Sequence, residues 1–559
     1  LTKGCLYSFG IHNLKTILIM KQTKNLLFKA LFLSCLGLAV MSCDGEDGVD
    51  GTNGIDGVDG ADGADGADGA DGADGQDLTL EESIPLTSSV TPNELFELKG
   101  AFAGSADLNM IMSSADILES DSTFVYGSYM DGAALYPTED GNYALINNLE
   151  ADYSIARIML NSELQPLQGD YIVNSTATAF TAMCSGSSIT VEEQGFGPLY
   201  LSGGEWGGNA KGVFKVNPFR AKEDRVEVER LPALGEWSTE NAVVIGKDAY
   251  SSQTVVFMGD DHSDNTYPQA HFGMYVGQRG DLYGGKLYVL RGTNPVESAP
   301  GEGGQLFEMG MAQDIEYDVE WVEVTERTID ELNQEAIDLG AIGFQRIEDI
   351  DWRRGSADAQ REVYFNATGR IRGDNPDLNL RGTGFGRVYK LVLDPEDPTA
   401  PAKLTVVVDG DLEGGKGDGM HSPDNILVTE NYAYIQEDPN GYGDFNADIT
   451  GFAKLWQLDL NTGNFVEVME CNQTYAASVG IGNTDSMWEI TGLIDVTNII
   501  GASEPTFIGG AQVHGWNFST TPDTAVRADG LKFVDPTAIS EGSAALEGSV
   551  LFKLTGLPR

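Results

Sequence analysis

Residues 235–261 read GEWSTENAVVIGKDAYSSQTVVFMGDD, and this stretch decides the fold. Two apolar runs, Asn241–Ile245 and Thr254–Met258, flank a turn-rich segment, which predicts a β-hairpin. Glu240 precedes the first run, and Asp260 and Asp261 follow the second. Because the start of one antiparallel strand lies beside the end of the next, we expect these three carboxylates at one rim. Crowded carboxylates repel one another unless a cation joins them.

Residues 422–438, SPDNILVTENYAYIQED, repeat this arrangement. Asp424 precedes the run Ile426–Thr429, while Glu437 and Asp438 follow the run Tyr432–Gln436. Acids are common at solvated strand ends, so one hairpin alone indicates nothing more. The repetition favours hairpins that present carboxylates to one shared, metal-binding mouth.

The rest of the body also predicts short strands separated by turns. Strands are predicted at 122–129, 143–147, 199–202, 212–216, 286–290, 387–393, 403–408 and 550–554, with a hairpin over 455–470. Such strands are typical of a sandwich, barrel or propeller, and a body of about 465 residues is too long for one sandwich. We therefore predict an all-β propeller with insertions. One insertion, near 328–340, is predicted to be a helix, because Thr328 and Glu331 match a capping box and Gly340 can end it.

The N-terminal residues predict export and a lipid anchor. A basic start at Met20, an apolar core and Leu38–Cys43 predict a lipoprotein signal peptide over 20–42, with Cys43 lipidated and 1–19 an upstream start. Residues 43–77 then carry glycine at every third position, which is the period of collagen. The run lacks proline and is rich in aspartate, so it predicts a flexible tether, with a triple helix as the alternative. Residues 78–93 are predicted to be a linker and 94–559 the propeller.

Composition argues against several classes of function. The chain has 34 basic and 86 acidic residues, a formal net charge of −52, which disfavours nucleic acid as a partner. A phosphate ligand would need a local cation to reverse this field. Cys184 and Cys471 are the body thiols, which is too few for a disulfide framework. No serine-hydrolase elbow, H-E-x-x-H, P-loop or G-x-G-x-x-G motif occurs. The oligomeric state stays open.

Four stretches together resemble the PhoX-type alkaline phosphatases and their uncharacterised relatives. Residues 235–261 are similar to the family's Ser-His-Glu element and Met-Gly-Asp-Asp strand end, and Phe344–Glu348 to its Arg-Pro-Glu element. Residues 422–438 resemble its Pro-Asp-Gly strand pair. MWEITGLIDV (487–496) and AQVHGW (511–516) resemble its Cys-Glu-Ile-Thr-Gly and Ile-Gln-His-Pro-Gly elements. The stretches occur in the family's order.

The resemblance implies a six-bladed β-propeller whose mouth holds metal ions. The metal ligands it implies are Glu205, Glu240, Asp260, Asp261, Glu348, Asp424, Asp438 and Glu489. It implies catalytic roles for Arg346, Glu348 and His514, where a guanidinium matches phosphoryl oxygens. A structural Arg346–Glu348 ion pair and a structural His514 are the alternatives.

The metal is predicted from the chemistry of these ligands. The family's iron-ligating cysteine has no counterpart beside Glu205 in Gly203-Gly204-Glu205. The predicted ligands are therefore mainly carboxylate oxygens, which favour calcium and argue against iron.

Two functions are consistent with these features. The first is a lipoprotein anchored through Cys43 in the outer membrane, exposed at the cell surface, that hydrolyses small phosphate esters with a calcium-centred cluster. The acidic Asp44–Asp47 resembles the export signal of bacterial surface lipoproteins. The alternative is a non-catalytic, calcium-stabilised propeller that binds a ligand or partner in the cell envelope, and the unmatched cysteine favours it.

Overall fold

The computed structural model describes residues 83–262, 267–293, 306–371, 380–439, 451–517, 527–537 and 546–559. The chain divides into two compact units, Leu1–Gly72 and Ala73–Arg559, and every described residue belongs to the second. The predicted signal peptide, Cys43 and the glycine-rich tether lie outside the described residues. Part of the predicted linker packs on the body, because Leu86 N–H donates to Pro166 O over 2.8 Å. The body thus begins before residue 94.

The described residues form short strands almost throughout. In chain order the strands are β1 (Phe96–Leu98), β2 (Asp107–Ser113), β3 (Met130–Pro137), β4 (Tyr143–Leu149), β5 (Ser154–Leu160), β6 (Pro166–Val173), β7 (Thr181–Ile189), β8 (Leu199–Gly207), β9 (Gly212–Val216), β10 (Glu229–Arg230), β11 (Thr239–Val244), β12 (Gln253–Asp260), β13 (Phe272–Gln278), β14 (Lys286–Gly292), β15 (Glu316–Val324), β16 (Ile347–Trp352), β17 (Glu362–Ala367), β18 (Arg387–Val392), β19 (Ala402–Asp409), β20 (Pro423–Val428), β21 (Tyr432–Glu437), β22 (Lys454–Asp459), β23 (Phe465–Cys471), β24 (Glu489–Asp495), β25 (Thr506–Asn517) and β26 (Glu547–Thr555). The predicted strand at 122–129 is absent, since these residues form a turn and extended loop.

Two α-helices interrupt the strands of the described residues, α1 (Ile329–Asp338) and α2 (Gln473–Ser478). The predicted helix near 328–340 is confirmed as α1, which ends before Gly340 at a φ of +75°. The Thr328 hydroxyl donates to the Glu331 carboxylate, and neither side chain bonds the backbone N–H of the other, so the helix forms without the expected capping box. Leu332 and Ala336 of this helix pack beside Trp237 and Met258. Across the described ranges, no helix has the length and apolarity needed to cross a membrane.

The strands assemble into five antiparallel sheets in the described part of the chain. Three four-stranded sheets have the orders β3-β4-β5-β6, β10-β9-β8-β7 and β2-β26-β25-β24, and a five-stranded sheet has the order β1-β23-β22-β21-β20. The largest sheet has nine strands in the order β11-β12-β13-β14-β15-β19-β18-β17-β16. Strand β2 closes the molecule by pairing with the C-terminal strand β26.

Six strands line the axis of this arrangement. Each contacts the next around a closed ring, in the order β3, β7, β11, β16, β20, β24 and back to β3. The expected all-β, propeller-like architecture is therefore confirmed. Six separate blades are not what the structure shows, because four blades stand apart while β15 pairs with both β14 and β19 and joins two four-stranded units into one sheet.

Candidate metal centre and active site

All six inner strands carry a register shift, and in five of them the shift encloses an acid or a thiol, whereas the shift in β24 encloses Gly492 and Leu493. In the β3/β4 hairpin the shift falls between Met130 and Ala133 and encloses Asp131. The corresponding shifts enclose Cys184 on β7, Glu240 on β11, Glu348 on β16 and Asp424 on β20. A β-bulge leaves a residue unpaired and re-aims its side chain. The bulges direct these five groups to one end of the axis.

Five more side chains join them from neighbouring strands. Glu150 follows β4, Glu205 lies on β8, Asp438 follows β21, Glu489 begins β24 and His514 lies on β25. We call the ten residues the bowl: Asp131, Glu150, Cys184, Glu205, Glu240, Glu348, Asp424, Asp438, Glu489 and His514. No strand supplies more than one of them, so the ring of strands is what assembles the site.

The potential ligand atoms of the bowl cluster into four groups. Within each group the atoms lie within 4.8 Å of one another, and the groups are Asp131–Cys184–Glu240, Glu150–Cys184–Glu205, Asp438–Glu489–His514 and Glu240–Glu348–Asp424. Cys184 and Glu240 each belong to two groups, so three of the four groups are linked. This spacing suits metal ions bound by several protein ligands.

Most of the predicted metal ligands lie in the bowl, but two do not. Among the described residues, Asp260 and Asp261 belong to none of the four groups. Asp261 pairs with Arg346 at 2.7 Å, and Asp260 accepts the Ser238 N–H over 3.2 Å while fully buried. A metal-binding role for either aspartate stays a prediction. The structure shows Asp261 as the ion-pair partner of Arg346.

Arg346 lies beside the bowl in a strained backbone conformation. Its guanidinium contacts Asp261 and also Glu348, at 2.9 Å. Its φ of +62° is in the left-handed region, as is that of Tyr129 and of Ser422, and each residue immediately precedes an inner strand. Such conformations cost about 1–3 kcal/mol and persist where the surroundings impose them. The strain holds the entrance of β16, and therefore Arg346 and Glu348, in a fixed orientation.

Cys184 corrects the expectation that the site lacks a thiol. Its Sγ donates to Glu205 Oε2 over 3.0 Å, and the side chain is buried and not in a disulfide. Burial, and next the charge of Glu240, raise the pKa of this thiol well above its usual range. The potential ligands therefore include one sulfur and one imidazole nitrogen as well as carboxylate oxygens.

Sequence reasoning did not select Asp131, Glu150 or Cys184 as site residues. A usable signal was the recurrence of a ligand followed by a small or polar residue at the start of successive inner strands. Asp131-Gly132, Cys184-Ser185, Glu240-Asn241, Glu348-Asp349 and Asp424-Asn425 share it. Glu150 instead belongs to Asn148-Leu149-Glu150, where the buried Asn148 amide donates to Cys184 O.

His514 is oriented by a carboxylate and an aromatic ring. Its Nδ1 lies 2.9 Å from Glu547 Oε2, and its ring meets Tyr129 edge-on with centroids 4.6 Å apart. Because a carboxylate accepts from Nδ1–H, the lone pair of the imidazole is at Nε2. His514 thereby has one nitrogen for support and one for a ligand or proton.

The electrostatics of the bowl favour a bound cation. Burial, and next the charges of neighbouring carboxylates, raise the pKa values of Asp131, Glu205, Glu240, Asp424 and Glu489 well above their usual range. Burial acts in the same direction on the pKa of Glu348, although Arg346 opposes it. A buried acid without a cation must take up a proton, whereas a metal ion stabilises the charged form. The ligand types and their crowding therefore fit divalent or higher-charged metal ions.

A cavity of about 590 Å³ runs along the axis on the other side of the bulges. Its lining includes Gly132, Ser185, Asn241, Asp349 and Asn425, each of which directly follows a bowl residue. The bulges thus turn one residue toward the bowl and the next toward the axial cavity. Bowl and cavity are separate chemical environments built from the same five strands.

Comparisons with known proteins find one family and several similar folds. A family model described as alkaline phosphatase PhoX matches residues 209–497. The solved structure of Pseudomonas fluorescens PhoX in complex with vanadate, a transition state analogue, is similar at 14% identity and a TM-score of 0.54, covering 85% of this chain and 97% of that chain. The PQQ-bound aldose sugar dehydrogenase of Streptomyces coelicolor has 8% identity and a TM-score of 0.31, covering 80% and 98%. A search of curated proteins gives no match.

Proposed function

The chain belongs to the alkaline phosphatase PhoX family and is a phosphoric monoester hydrolase, and from this premise we propose that the bowl is where phosphate esters are hydrolysed. The observation that carries the proposal is the set of five bulges that bring Asp131, Cys184, Glu240, Glu348 and Asp424 to one end of the axis. Bulges next to a site are typically functional features rather than defects.

The family is metal-dependent, and we assign the bowl residues to metals by their chemistry. The Glu240–Glu348–Asp424 group offers only oxygen atoms, which suit calcium. The two groups that share Cys184 add a thiol, and a thiol suits a softer transition metal such as iron. Cys184 therefore removes the reason for expecting calcium alone. When bound, the cations would polarise the phosphoryl oxygens and offset their charge.

Among the described residues, Arg346 is the cationic side chain that pairs directly with a bowl carboxylate, while Lys211 lies close enough to interact with Glu205 and Cys184. The Arg346 guanidinium already lies between two carboxylates, Asp261 and Glu348, at 2.7 and 2.9 Å. Two oxygens of a tetrahedral phosphoryl group can accept the parallel N–H bonds of a guanidinium, as the two oxygens of a carboxylate do, so an arginine fork binds either. We assign to Arg346 the orientation and charge stabilisation of the phosphoryl group as it leaves its ester oxygen.

His514 and Glu547 form the second functional pair. Glu547 fixes the proton at Nδ1, which leaves Nε2 toward Asp438 and Glu489. In that position the imidazole can hold a metal or exchange a proton with the departing alcohol. Tyr129 packs against the ring and keeps it from rotating.

The decisive experiment measures metal content and turnover on the same purified protein. We expect elemental mass spectrometry to find calcium together with a transition metal, and p-nitrophenyl phosphate to be hydrolysed until a chelator removes both. Metal-free protein with undiminished turnover would overturn the assignment of the bowl. The non-catalytic alternative rested on the lack of a thiol, and Cys184 takes that support away.

We further propose that the enzyme is a lipoprotein of the outer membrane, exposed at the cell surface. The support is in the sequence, where an apolar core ends at Leu38–Cys43 and an acidic, glycine-rich tether follows. Labelling of growing cells with a palmitate analogue tests the anchor, and Cys43→Ala should abolish the label. Protease treatment of intact cells tests exposure, since a surface protein is cleaved while a periplasmic one survives.

A further inference from the structure

Three aromatic side chains form a cluster at the edge of the bowl. Tyr153 lies edge-on to Trp206 with ring centroids 5.6 Å apart, and edge-on to Phe180 at 6.2 Å. Phe180 is 43% exposed, while Tyr153 and Trp206 are half-buried. In an acidic protein this is an unusual place for apolar surface. We call these three residues the aromatic rim.

The aromatic rim is joined directly to the bowl. Trp206 Nε1 donates to Glu150 Oε1, and Glu150 shares a ligand group with Cys184 and Glu205. Glu205 immediately precedes Trp206 on β8. A phosphoryl group held at these residues therefore places its ester substituent within reach of the three rings.

The backbone at the aromatic rim fixes where the rings stand. Tyr153 and Phe180 have φ values of +55° and +60°, and each directly precedes a strand, β5 and β7. Backbone hydrogen bonds hold Phe180 in this conformation, since its N–H donates to Ser175 O over 2.9 Å and its carbonyl accepts from Gly208 N–H over 2.7 Å. The exposed ring of Phe180 therefore stands on a fixed backbone.

We propose that the aromatic rim binds the organic group of the substrate and selects phosphate monoesters of planar aromatic alcohols. The inference rests on the proposed function of the bowl. An uncharged ring gains contact with Phe180 and Trp206.

The test compares phenyl phosphate with ethyl phosphate in the full-length, metal-loaded protein. Phe180→Gly removes the ring at a position whose φ suits glycine, so the fold is kept. We expect the ratio of kcat/KM for phenyl over ethyl phosphate to fall about five- to tenfold relative to wild type. Taking each variant's ratio cancels the intrinsic reactivity of the two esters. Tyr283→Ala is the matched control, because Tyr283 is an exposed aromatic side chain (52%) whose hydroxyl contacts Lys215 and Glu229, which are not bowl residues.

Calorimetric titration with phenylphosphonate and methylphosphonate gives a reading that does not depend on turnover. Wild type and Tyr283→Ala should bind phenylphosphonate more tightly than methylphosphonate, and Phe180→Gly should lose this preference. That result supports the aromatic rim even if wild type hydrolyses neither ester. The absence of hydrolysis would then contradict only the proposed function of the bowl. An unchanged phenyl-to-ethyl ratio in Phe180→Gly, or equal binding of both phosphonates by wild type, overturns the aromatic rim and leaves the phosphatase intact.

Discussion

Replacing Glu240 by glutamine is expected to stabilise the metal-free protein and to weaken the metal-bound one. Glu240 is 3% exposed and belongs to two ligand groups, with Asp131 on one side and Glu348 and Asp424 on the other. Without metal its charge faces other carboxylates. With metal the same charge is a ligand. Glutamine has nearly the same shape but no charge. The sign of the change in Tm therefore shows whether the charge of Glu240 repels its neighbours or binds a metal.

The structure sets the size of the effect. Two charged carboxylates 4.8 Å apart repel by about 3.5 kcal/mol at an effective dielectric constant of about 20. The cost of this repulsion cannot exceed the cost of protonating Glu240 instead. Keeping a carboxyl of ordinary pKa 4.5 protonated at pH 8 costs about 4.8 kcal/mol. The Ser185 N–H donates to Glu240 Oε1 over 2.9 Å, and its weaker bond to an amide oxygen subtracts about 1 kcal/mol. The metal-free variant should gain about 2–4 kcal/mol, or about 2–5 °C in Tm.

The assay is thermal unfolding in chelator and in saturating calcium, at pH 8 and pH 5. The pKa of Glu240 is raised in the folded state, so the folded protein binds more protons than the unfolded one above the ordinary pKa. Stability of metal-free wild type therefore falls as pH rises, and the gain from glutamine shrinks at pH 5. In calcium the variant should melt below wild type.

Glu308→Gln is the matched control for Glu240→Gln. Glu308 is fully buried outside the bowl, and it accepts from Gln345 N–H, Thr383 N–H and the Tyr389 hydroxyl. Its substitution should shift Tm equally with and without calcium. If Glu240→Gln lowers Tm by the same amount in chelator and in calcium, Glu240 is a structural acceptor for Ser185 and the reasoning about the bowl is refuted.

Two further substitutions test other parts of the site, and the pH dependence of Glu308→Gln tests a buried acid outside it. Arg346→Lys removes the fork that contacts Asp261 and Glu348, so kcat/KM for a phosphate monoester should fall at least about 100-fold, and a loss below threefold would contradict its assigned role. Cys184→Ser should lose the transition metal and keep calcium in elemental mass spectrometry, whereas unchanged metal content would exclude the thiol as a ligand. Burial raises the pKa of Glu308 to about 7, so between pH 4.5 and 7 wild type should lose about 3 kcal/mol more stability than Glu308→Gln, because Glu308 ionises first in the unfolded state. Denaturant unfolding measures this difference, and parallel pH profiles of the two proteins would contradict it.

Local patterns predicted the hairpins well because their pairing is local. The runs at 241–245 and 254–258 became β11 and β12, and the predicted strand at 212–216 is β9 with the same bounds. The segment 122–129 failed because its partners are distant. The buried Arg527 guanidinium donates to Ser122 O and Phe124 O, which takes up carbonyls that a strand would offer to a neighbour.

The number of sheets could not be read from the sequence for a similar reason. β15 alternates between more and less buried residues as an outer strand does, yet it pairs with β14 on one side and β19 on the other. The second pairing joins residues 316–319 to 402–405, across an insertion that includes α1 and a whole hairpin. Nothing in the local pattern distinguishes an outer strand that ends a blade from one that joins two.

The composition of the bowl has the same long-range origin. Cys184 lies on β7 and Glu205 on β8, and the pairing of Met183 with Gly204 brings the two side chains to one place although 21 positions separate them. A linear motif detects a cysteine only where it is adjacent to Glu205 in the sequence. In the folded sheet, a cysteine on the neighbouring strand can be equally close to Glu205. A ligand can therefore move between neighbouring strands without leaving the site. For this reason the loss of a motif's cysteine was weak support for a catalytically silent protein, and the thiol next to Glu205 is the stronger observation.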